Sequence, residues 1–161
     1  QNDISIEERR VVAVAREKAE KTGEPAAAIE LNDGRIITGK TSLLLGATSA
    51  MLLNALKALA DIDDKALLLS PHLIEPIQEL KTKHLGGHNP RLHTDEILIA
   101  LVLSAVTDEI ADEAMRQLPA LRGTECHSTV ILSQDINVLK KLGINYTSDS
   151  VYQTKKLYHA K

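Results

Sequence analysis

Aromatic residues are scarce in this chain of 161 residues: they make up 2%, all of them tyrosines, with no tryptophan or phenylalanine. The core must therefore be built from leucine, isoleucine, valine and alanine, and the body of the chain has no aromatic platform on which single-stranded bases could stack. Positive charge is not in excess either. Because the formal net charge is -3, the chain has no general attraction to nucleic acid or acidic membranes, and we expect neither as a partner.

Cysteine and long apolar runs are also nearly absent. Cys126 is the only cysteine, which excludes a disulfide within the chain and fits a reducing compartment. The longest apolar run is well short of the ~20 residues that a membrane-spanning helix needs, and the N-terminus does not resemble a signal peptide. We therefore predict a cytoplasmic protein and a single domain over residues 1–161. The first residue, Gln1, suggests a fragment of a longer chain.

Turn and capping signals predict a helix followed by a β-hairpin in the first part of the chain. Ser5 and Glu8 form a capping box, and Gly23 can terminate the helix that follows. Two apolar segments, AAAIEL and RIIT, then flank the Asn-Asp-Gly sequence at 32–34, which tolerates the positive φ angles of a tight turn. We expect two antiparallel strands here.

The middle of the chain predicts further helices and a short strand. Thr48 or Ser49 can cap the apolar helix AMLLNALKALA, which should be largely buried. The segment KALLLS at 65–70 resembles a short strand. Prolines confine any helix after it to short pieces, and the better of these is 76–83, with proline at its first position.

The last part of the chain predicts a strand, a short helix and another strand. ECHSTVIL is typical of a strand, Ser133 can cap a helix that Gly143 ends, and INYTS is again strand-like. Three such elements in so few residues indicate a parallel βαβ unit. We therefore predict an α/β domain with a small mixed sheet, made of the N-terminal hairpin and the C-terminal βαβ unit. Several helices should pack with this sheet, one of them central and buried.

The predicted central helix follows the polar stretch HLGGHNPRLHTDE at 84–96. The run ILIALVLSAV at 97–106 is hydrophobic on every side, which is typical of a helix in the middle of a domain. Thr94 is a suitable N-cap, and Asp95 and Glu96 place carboxylates at the positive end of the helix dipole. A buried helix should therefore begin at about Thr94, directly after a bend that contains glycine.

The bend before this helix is the best candidate for a binding site. Its glycines allow the backbone to approach a ligand, Arg91 can bind two oxygens of an anion, and the helix end adds its dipole. We expect an anion to bind there, with Lys40 adding one charge from the lip of a loop. The predicted ligand-binding residues are Gly86, Gly87, His88, Asn89, Arg91, His93 and Lys40. The alternative is a plain connector whose histidines and asparagine cap local backbone groups.

The same bend offers side chains of the types that bind zinc or iron. His84, His88 and His93, with Asp95 or Glu96, could supply imidazole and carboxylate ligands. Only His84 and His88 have helical spacing, and the glycines between them argue against a helix, so the HExxH geometry of metallohydrolases is absent. We therefore predict no metal ligand, and a metal-dependent hydrolase is kept as an alternative.

The segment GRIITGKT at 34–41 matches the spacing of a phosphate-binding P-loop, with Lys40 and Thr41 at the positions for phosphate and magnesium. Its middle is β-branched, and we interpret it as the second strand of the hairpin, since a P-loop needs a nest of small residues. No hydrophobic strand with an acidic end follows. We interpret the match as a coincidence, while Lys40 and the neighbouring hydroxyls can contribute to an anion site formed elsewhere.

Cys126 and His127 are adjacent, which raises the possibility of a thiolate nucleophile activated by an imidazole. Adjacent residues of a strand point to opposite faces, however. Cys126 should therefore be a small core residue, and His127 should lie on the other face and reach toward the loop of His88. His88 and His127 are our candidates for catalytic proton transfer.

Five stretches of the chain closely resemble a conserved, uncharacterised bacterial family known as domain of unknown function eighteen forty-six. They are HLGGHNPRLHTDEILIAL, GTECHSTVIL, LKKLGINYT, NDGRIITGKTS and the ending VYQTKKLYHAK. The likeness spans essentially the whole chain. Because family members are much longer, the resemblance implies the C-terminal domain of a longer protein. It also implies a missing N-terminal domain, with its own P-loop-like segment, as a partner.

The resemblance further implies a cytoplasmic homo-oligomer linked to nucleotides or phosphorylated metabolites, and it supplies no cofactor or catalytic residue. Together with the residues above, it leads to the hypothesis of a ligand-binding part of a larger enzyme that acts on a phosphorylated small molecule or nucleotide. One alternative is an oligomerisation module without its own activity. The other is a metal-dependent hydrolase or an ATP-dependent peptidase, a label that some family members carry.

Overall fold

The structure, a computed structural model, describes residues 9–130 and 133–150. Within these ranges the chain forms six α-helices and a four-stranded mixed sheet, which confirms the predicted α/β class. The strands are β1 (Ala26–Glu30), β2 (Ile36–Lys40), β3 (Glu125–Ser128) and β4 (Asn145–Ser148). The helices are α1 (Arg10–Thr22), α2 (Ala47–Leu59), α3 (Pro71–Glu79), α4 (Thr94–Ala105), α5 (Glu109–Met115) and α6 (Ser133–Lys141).

The strands lie in the order β2-β1-β3-β4. β1 pairs antiparallel with both β2 and β3, whereas β3 and β4 are parallel neighbours connected through α6. The predicted hairpin and the predicted βαβ unit are therefore both confirmed, and β1 joins them into one sheet. The hairpin turn uses Gly34 at φ +94°, a conformation that glycine adopts without the strain of a side chain.

Helices cover the two faces of the sheet unequally. α1 packs on one face, where Val11, Val12 and Ala15 bury Ala28 of β1. The opposite face carries the larger apolar core, to which β1, α2, α4, α5 and α6 all contribute. In residues 9–130 and 133–150, no helix combines the length and the apolar character that crossing a bilayer demands.

The prediction that α4 is buried on all sides is wrong. Its buried residues lie along one face, while large apolar side chains on the other face are exposed to solvent. The buried residues are Thr94, Ile97, Ala100 and Leu101. The exposed ones are Ile99 (63% exposed), Val102 (48%), Leu103 (62%) and Val106 (78%). The sequence of the helix is apolar all round, but this domain supplies packing partners for only one side.

The starts of two helices also differ from the prediction. Neither Thr48 nor Ser49 caps α2, because the N-cap is Gly46 and both hydroxyl residues are buried within the first turn. Likewise α4 has His93 as its N-cap, and Thr94 is its first residue. In both places a hydroxyl group that the sequence suggested as a cap is used for a contact with another segment instead.

The region around the prolines is more helical than predicted, and 65–70 is not a strand. α3 begins at Pro71, contains Pro76, and continues as a π-helical turn over Leu80–His84. Pro76 cannot donate to the carbonyl of His72, but both residues are exposed, so water can replace the lost bond. The predicted capping box at Ser5 and Glu8 lies outside the described residues.

Candidate functional site

Three strands end at the same edge of the sheet. β2, β3 and β4 point in one direction because β1 runs against both of its neighbours. Their last residues are Lys40, Ser128 and Ser148. In open α/β sheets, ligands bind beyond the carboxyl ends of strands, so this edge is where a site is expected.

A short backbone bridge brings the segment after β2 against the segment before α4. Leu45 and Leu92 form a parallel β-bridge, in which the Leu92 N–H donates to the Leu44 carbonyl at 3.0 Å. The Leu92 carbonyl accepts from the Gly46 N–H at 3.2 Å and from the Ser49 hydroxyl at 2.9 Å. All polar backbone groups of Leu92 are thus used, and its side chain is fully buried. We call this contact the Leu45–Leu92 bridge.

The bridge places Arg91 beside the end of β2. The Arg91 side chain is 5% exposed, and its Nε donates to the Ser42 carbonyl, 49 positions earlier in the sequence. A cleft of about 550 Å³ opens at this point, and we call it the Lys40–Arg91 cleft. Its lining residues are Glu24, Lys40, Thr41, Ser42, Leu43, Leu44 and Arg91.

The polar groups of the cleft differ in their exposure to solvent and in their hydrogen bonds. Lys40 is exposed, whereas Thr41 is 2% exposed and its Oγ1 has no hydrogen-bond partner among the residues that the structure describes. Glu24 brings a half-buried carboxylate, which opposes the positive charges. The cleft therefore combines two cations and two hydroxyl residues with one acidic group.

The conformation of β2 excludes a P-loop at 34–41. Residues 36–40 form an extended strand paired along its length with β1, so they do not form a nest of free amides. Gly39 is required for packing, because a Cβ at this position would lie 2.2 Å from the Met51 backbone nitrogen of α2. The match to the motif is a coincidence, as the sequence suggested.

The glycine-containing bend faces solvent. Gly86, Gly87 and His88 are exposed, and they do not line the cleft. The Gly87 N–H donates to the Lys81 carbonyl at 2.8 Å, and Gly86 has φ +74°. These are the local contacts of a connector. The structure therefore brings Lys40 and Arg91 together and leaves the other residues of the bend outside.

Asn89 and His93 hold the end of the bend on α4. The Asn89 Oδ1 accepts from the Arg91 N–H at 3.1 Å, and the Asn89 amide lies 3.1 Å from the His93 Nε2. The His93 N–H donates to Glu96 at 2.8 Å, and Glu96 is also paired with Lys81 at 2.8 Å. These contacts fix the backbone that carries Arg91, so Asn89 and His93 position the cleft without lining it.

A buried carboxylate that the sequence did not indicate joins the starts of α4 and α6. Asp135 accepts hydrogen bonds from the Thr94 N–H at 3.1 Å and the Thr94 hydroxyl at 2.9 Å. Burial raises the pKa of Asp135 above its ordinary value, against the opposing effect of these hydrogen bonds. An acidic residue in the first turn of a helix was the only available signal, and it does not reveal a distant partner.

His127 faces away from Cys126, as predicted, and lies on the face of the sheet that α1 covers, but it does not reach the loop of His88. Its Nδ1 is 2.8 Å from the Thr147 hydroxyl and its Nε2 is 3.0 Å from Asp149, which also pairs with Arg16 of α1 at 2.6 Å. Burial lowers the pKa of His127, and the Asp149 carboxylate only partly offsets this effect. The imidazole thus joins α1 to the end of β4.

Cys126 points to the opposite face, as predicted, and contacts the sulfur of Met51 at 3.6 Å in the main core. Burial raises the pKa of its thiol to about 12, so Cys126 is a thiol at neutral pH. Throughout 9–130 and 133–150, histidine, cysteine and acidic side chains do not form a group of three or more that could hold a metal ion.

Comparison with known proteins identifies relatives along nearly the whole chain. The family model described as domain of unknown function DUF1846, C-terminal, matches residues 7–158. The UPF0371 protein SpyM50764 of Streptococcus pyogenes serotype M5 (strain Manfredo) is 54% identical over 160 residues, which are 98% of this chain and 32% of that protein. A UPF0371 protein of Corynebacterium glutamicum (strain R) is 57% identical over 155 residues, 96% of this chain and 31% of that protein. The chain therefore spans about a third of the length of the curated relatives it matches.

Proposed function

Because this chain belongs to the family described as domain of unknown function DUF1846, C-terminal, whose members extend well beyond it, we propose that it works as one part of a larger cytoplasmic protein. In that protein it contributes an anion-binding wall to a site for a phosphorylated small molecule or nucleotide. The wall is the Lys40–Arg91 cleft.

The main support for this proposal is that Lys40 and Arg91 line the same cleft. They come from segments far apart in sequence, and they line one cleft at the carboxyl edge of the sheet. A guanidinium presents several N–H donors in one plane, and an ammonium adds a mobile point charge, which is a common combination around phosphate oxygens. The hydroxyl residues Thr41 and Ser42, which directly follow Lys40, line the same cleft.

Glu24 gives the proposed site a second property. Its carboxylate lines the cleft with the cations and reduces the positive potential that an anion meets. A hydroxyl or amine of a ligand could instead donate to this carboxylate. We therefore propose a ligand that carries both an oxyanion and a hydrogen-bond donor, as phosphorylated sugars and nucleotides do, in preference to inorganic phosphate.

We propose that the groups for proton transfer come from the other part of the full-length protein. His88 is exposed on the bend, and both ring nitrogens of His127 are already held on the α1 face. In this proposal the domain binds and orients the ligand. The reaction, and the homo-oligomer implied by the resemblance, remain predictions for the full-length protein.

The test is ligand binding to the full-length protein, measured by titration calorimetry and by thermal unfolding at constant ionic strength. The probes are a panel of sugar phosphates and nucleotides, with inorganic phosphate and sulfate for comparison. A ligand present at 100 times its Kd stabilises the folded state by about 2.7 kcal/mol, which is readily detected as a rise in Tm. Absence of binding by every probe would contradict the proposal.

Three variants make this test specific to the cleft. Lys40→Ala should weaken binding about tenfold, the loss expected for roughly 1.4 kcal/mol. Lys140→Ala removes another exposed lysine, from α6, and should have no effect. Glu24→Gln should strengthen the binding of inorganic phosphate, since it removes the opposing charge. If Lys40→Ala and Lys140→Ala behave alike, the anion binds elsewhere.

A further inference from the structure

The exposed side of α4 is an apolar surface without a packing partner in the part of the chain that the structure describes. Ile99, Val102, Leu103 and Val106 follow the i, i+3, i+4, i+7 spacing of one helix face, and each is between 48% and 78% exposed. No charged residue interrupts the helix between Ile97 and Val106. We call these four side chains the α4 face.

The α4 face continues into a neighbouring groove. Leu103 lines a cleft of about 370 Å³ together with Leu67, which is itself 68% exposed. Soluble monomers rarely expose contiguous apolar patches beyond a few hundred Å², and larger ones mark sites of association. A helix in water favours polar residues on its outer side, so this face is built to be covered.

The charges at the two ends of the α4 face argue against a second copy as the cover. Asp95 lies at the start of α4, next to Glu96, whose carboxylate is already paired with Lys81. Asp108 and Glu109 follow the end of the helix, and the sequence has no lysine or arginine between 95 and 109. Two copies joined through this face by a twofold axis would bring acidic ends together whether the helices ran parallel or antiparallel. Opposed like charges cost free energy at an interface.

The length of the relatives indicates a different packing partner for the α4 face. This chain corresponds to about a third of each of these relatives, so about two thirds of each relative lies outside the matched region. A surface that is apolar at its centre and acidic at its ends suits a partner with apolar side chains flanked by basic ones. We infer that the α4 face is the surface on which the N-terminal two thirds of the full-length protein pack against this domain.

Photo-cross-linking in the full-length protein tests this inference. The photoreactive amino acid p-benzoylphenylalanine replaces Leu103 in one preparation and Val106 in a second, so that one unfavourable site does not decide the result. The matched control replaces Leu85, which is 72% exposed on the bend and lies outside the α4 face. After irradiation, mass spectrometry identifies the joined peptides. Mixing isotopically labelled and unlabelled protein before irradiation separates links within one chain from links between chains.

The expected result is cross-links from positions 103 and 106 to peptides of the N-terminal two thirds, within one chain and at least tenfold more abundant than those from position 85. Links to the same 161-residue region, in the same or a second copy, would show a different cover and overturn the inference. If cross-links from positions 103 and 106 are no more abundant than those from position 85, the α4 face is open to water, and this result would also overturn the inference.

Discussion

Replacing Gly39 by alanine tests how closely β2 and α2 approach each other. An added Cβ would lie 2.2 Å from the Met51 nitrogen and 2.7 Å from the Ala50 carbonyl carbon, whereas ordinary contacts begin at 3.4 Å. The atoms that would clash belong to the helix backbone, so no side-chain rotation can relieve the overlap. β2 and α2 must instead separate by roughly 1 Å, in the manner of an overpacked core.

The expected loss of stability is large for a single methyl group. Overpacking typically costs 1–3 kcal/mol and sometimes more, and we place Gly39→Ala at about 3 kcal/mol or above because the displaced element is a whole helix of the main core. Gly34→Ala is the matched control. Gly34 has φ +94°, and no atom lies within 4 Å of the point where its Cβ would stand, so alanine there should cost only the conformational strain of about 1–2 kcal/mol.

Urea unfolding of the two variants and the wild type, followed by circular dichroism, gives the comparison. The midpoint should fall further for Gly39→Ala than for Gly34→Ala, at a similar m-value. If Gly39→Ala does not fold, a Gly39→Ala, Met51→Ala double variant will not rescue it, since the clash is with backbone. A Gly39→Ala protein that is as stable as Gly34→Ala would refute the close packing of β2 on α2.

Two further predictions concern buried groups of the sheet. Because the pKa of His127 is lowered in the folded state, the unfolded chain takes up a proton first, and the free energy of unfolding should fall as the pH drops below 6.5. In urea unfolding between pH 7 and pH 5, His127→Gln should reduce this pH dependence. An unchanged pH dependence would contradict a lowered pKa of His127. Cys126 should resist thiol reagents at pH 8 in the folded protein and react at once in guanidinium, since its pKa is about 12 and its side chain is fully buried. Rapid modification of the folded protein would place Cys126 outside the core.

The parts of the fold that depend on neighbours in sequence were predictable. The Asn-Asp-Gly turn at 32–34 specified the hairpin, and the close succession of elements after 124 specified the βαβ unit. The burial of α4 was not predictable, because composition shows that a helix is apolar without showing how many sides have partners. The N-caps of α2 and α4 were missed for a related reason: Ser49 and Thr94 use their hydroxyls for contacts with distant segments.

The candidate site was predictable only in part. Lys40 and Arg91 were each selected from the sequence, but their meeting depends on the Leu45–Leu92 bridge, a contact between segments that share no periodic pattern. The glycines of the bend were given too much weight, because glycine signals conformational freedom and not the direction in which a loop faces. Asp135 was missed because its partner, Thr94, lies in a different helix.

The Leu45–Leu92 bridge has a consequence for the shape of the proposed site. Hydrogen bonds on both sides of Leu92 fasten the two walls of the cleft to each other and to the first turn of α2. These hydrogen bonds hold the backbone of both walls in one arrangement, without a hinge between them. In the proposed site, the distance between the backbones of Lys40 and Arg91 is therefore set as the chain folds, and a bound molecule can be accommodated only by movement of the exposed lysine side chain.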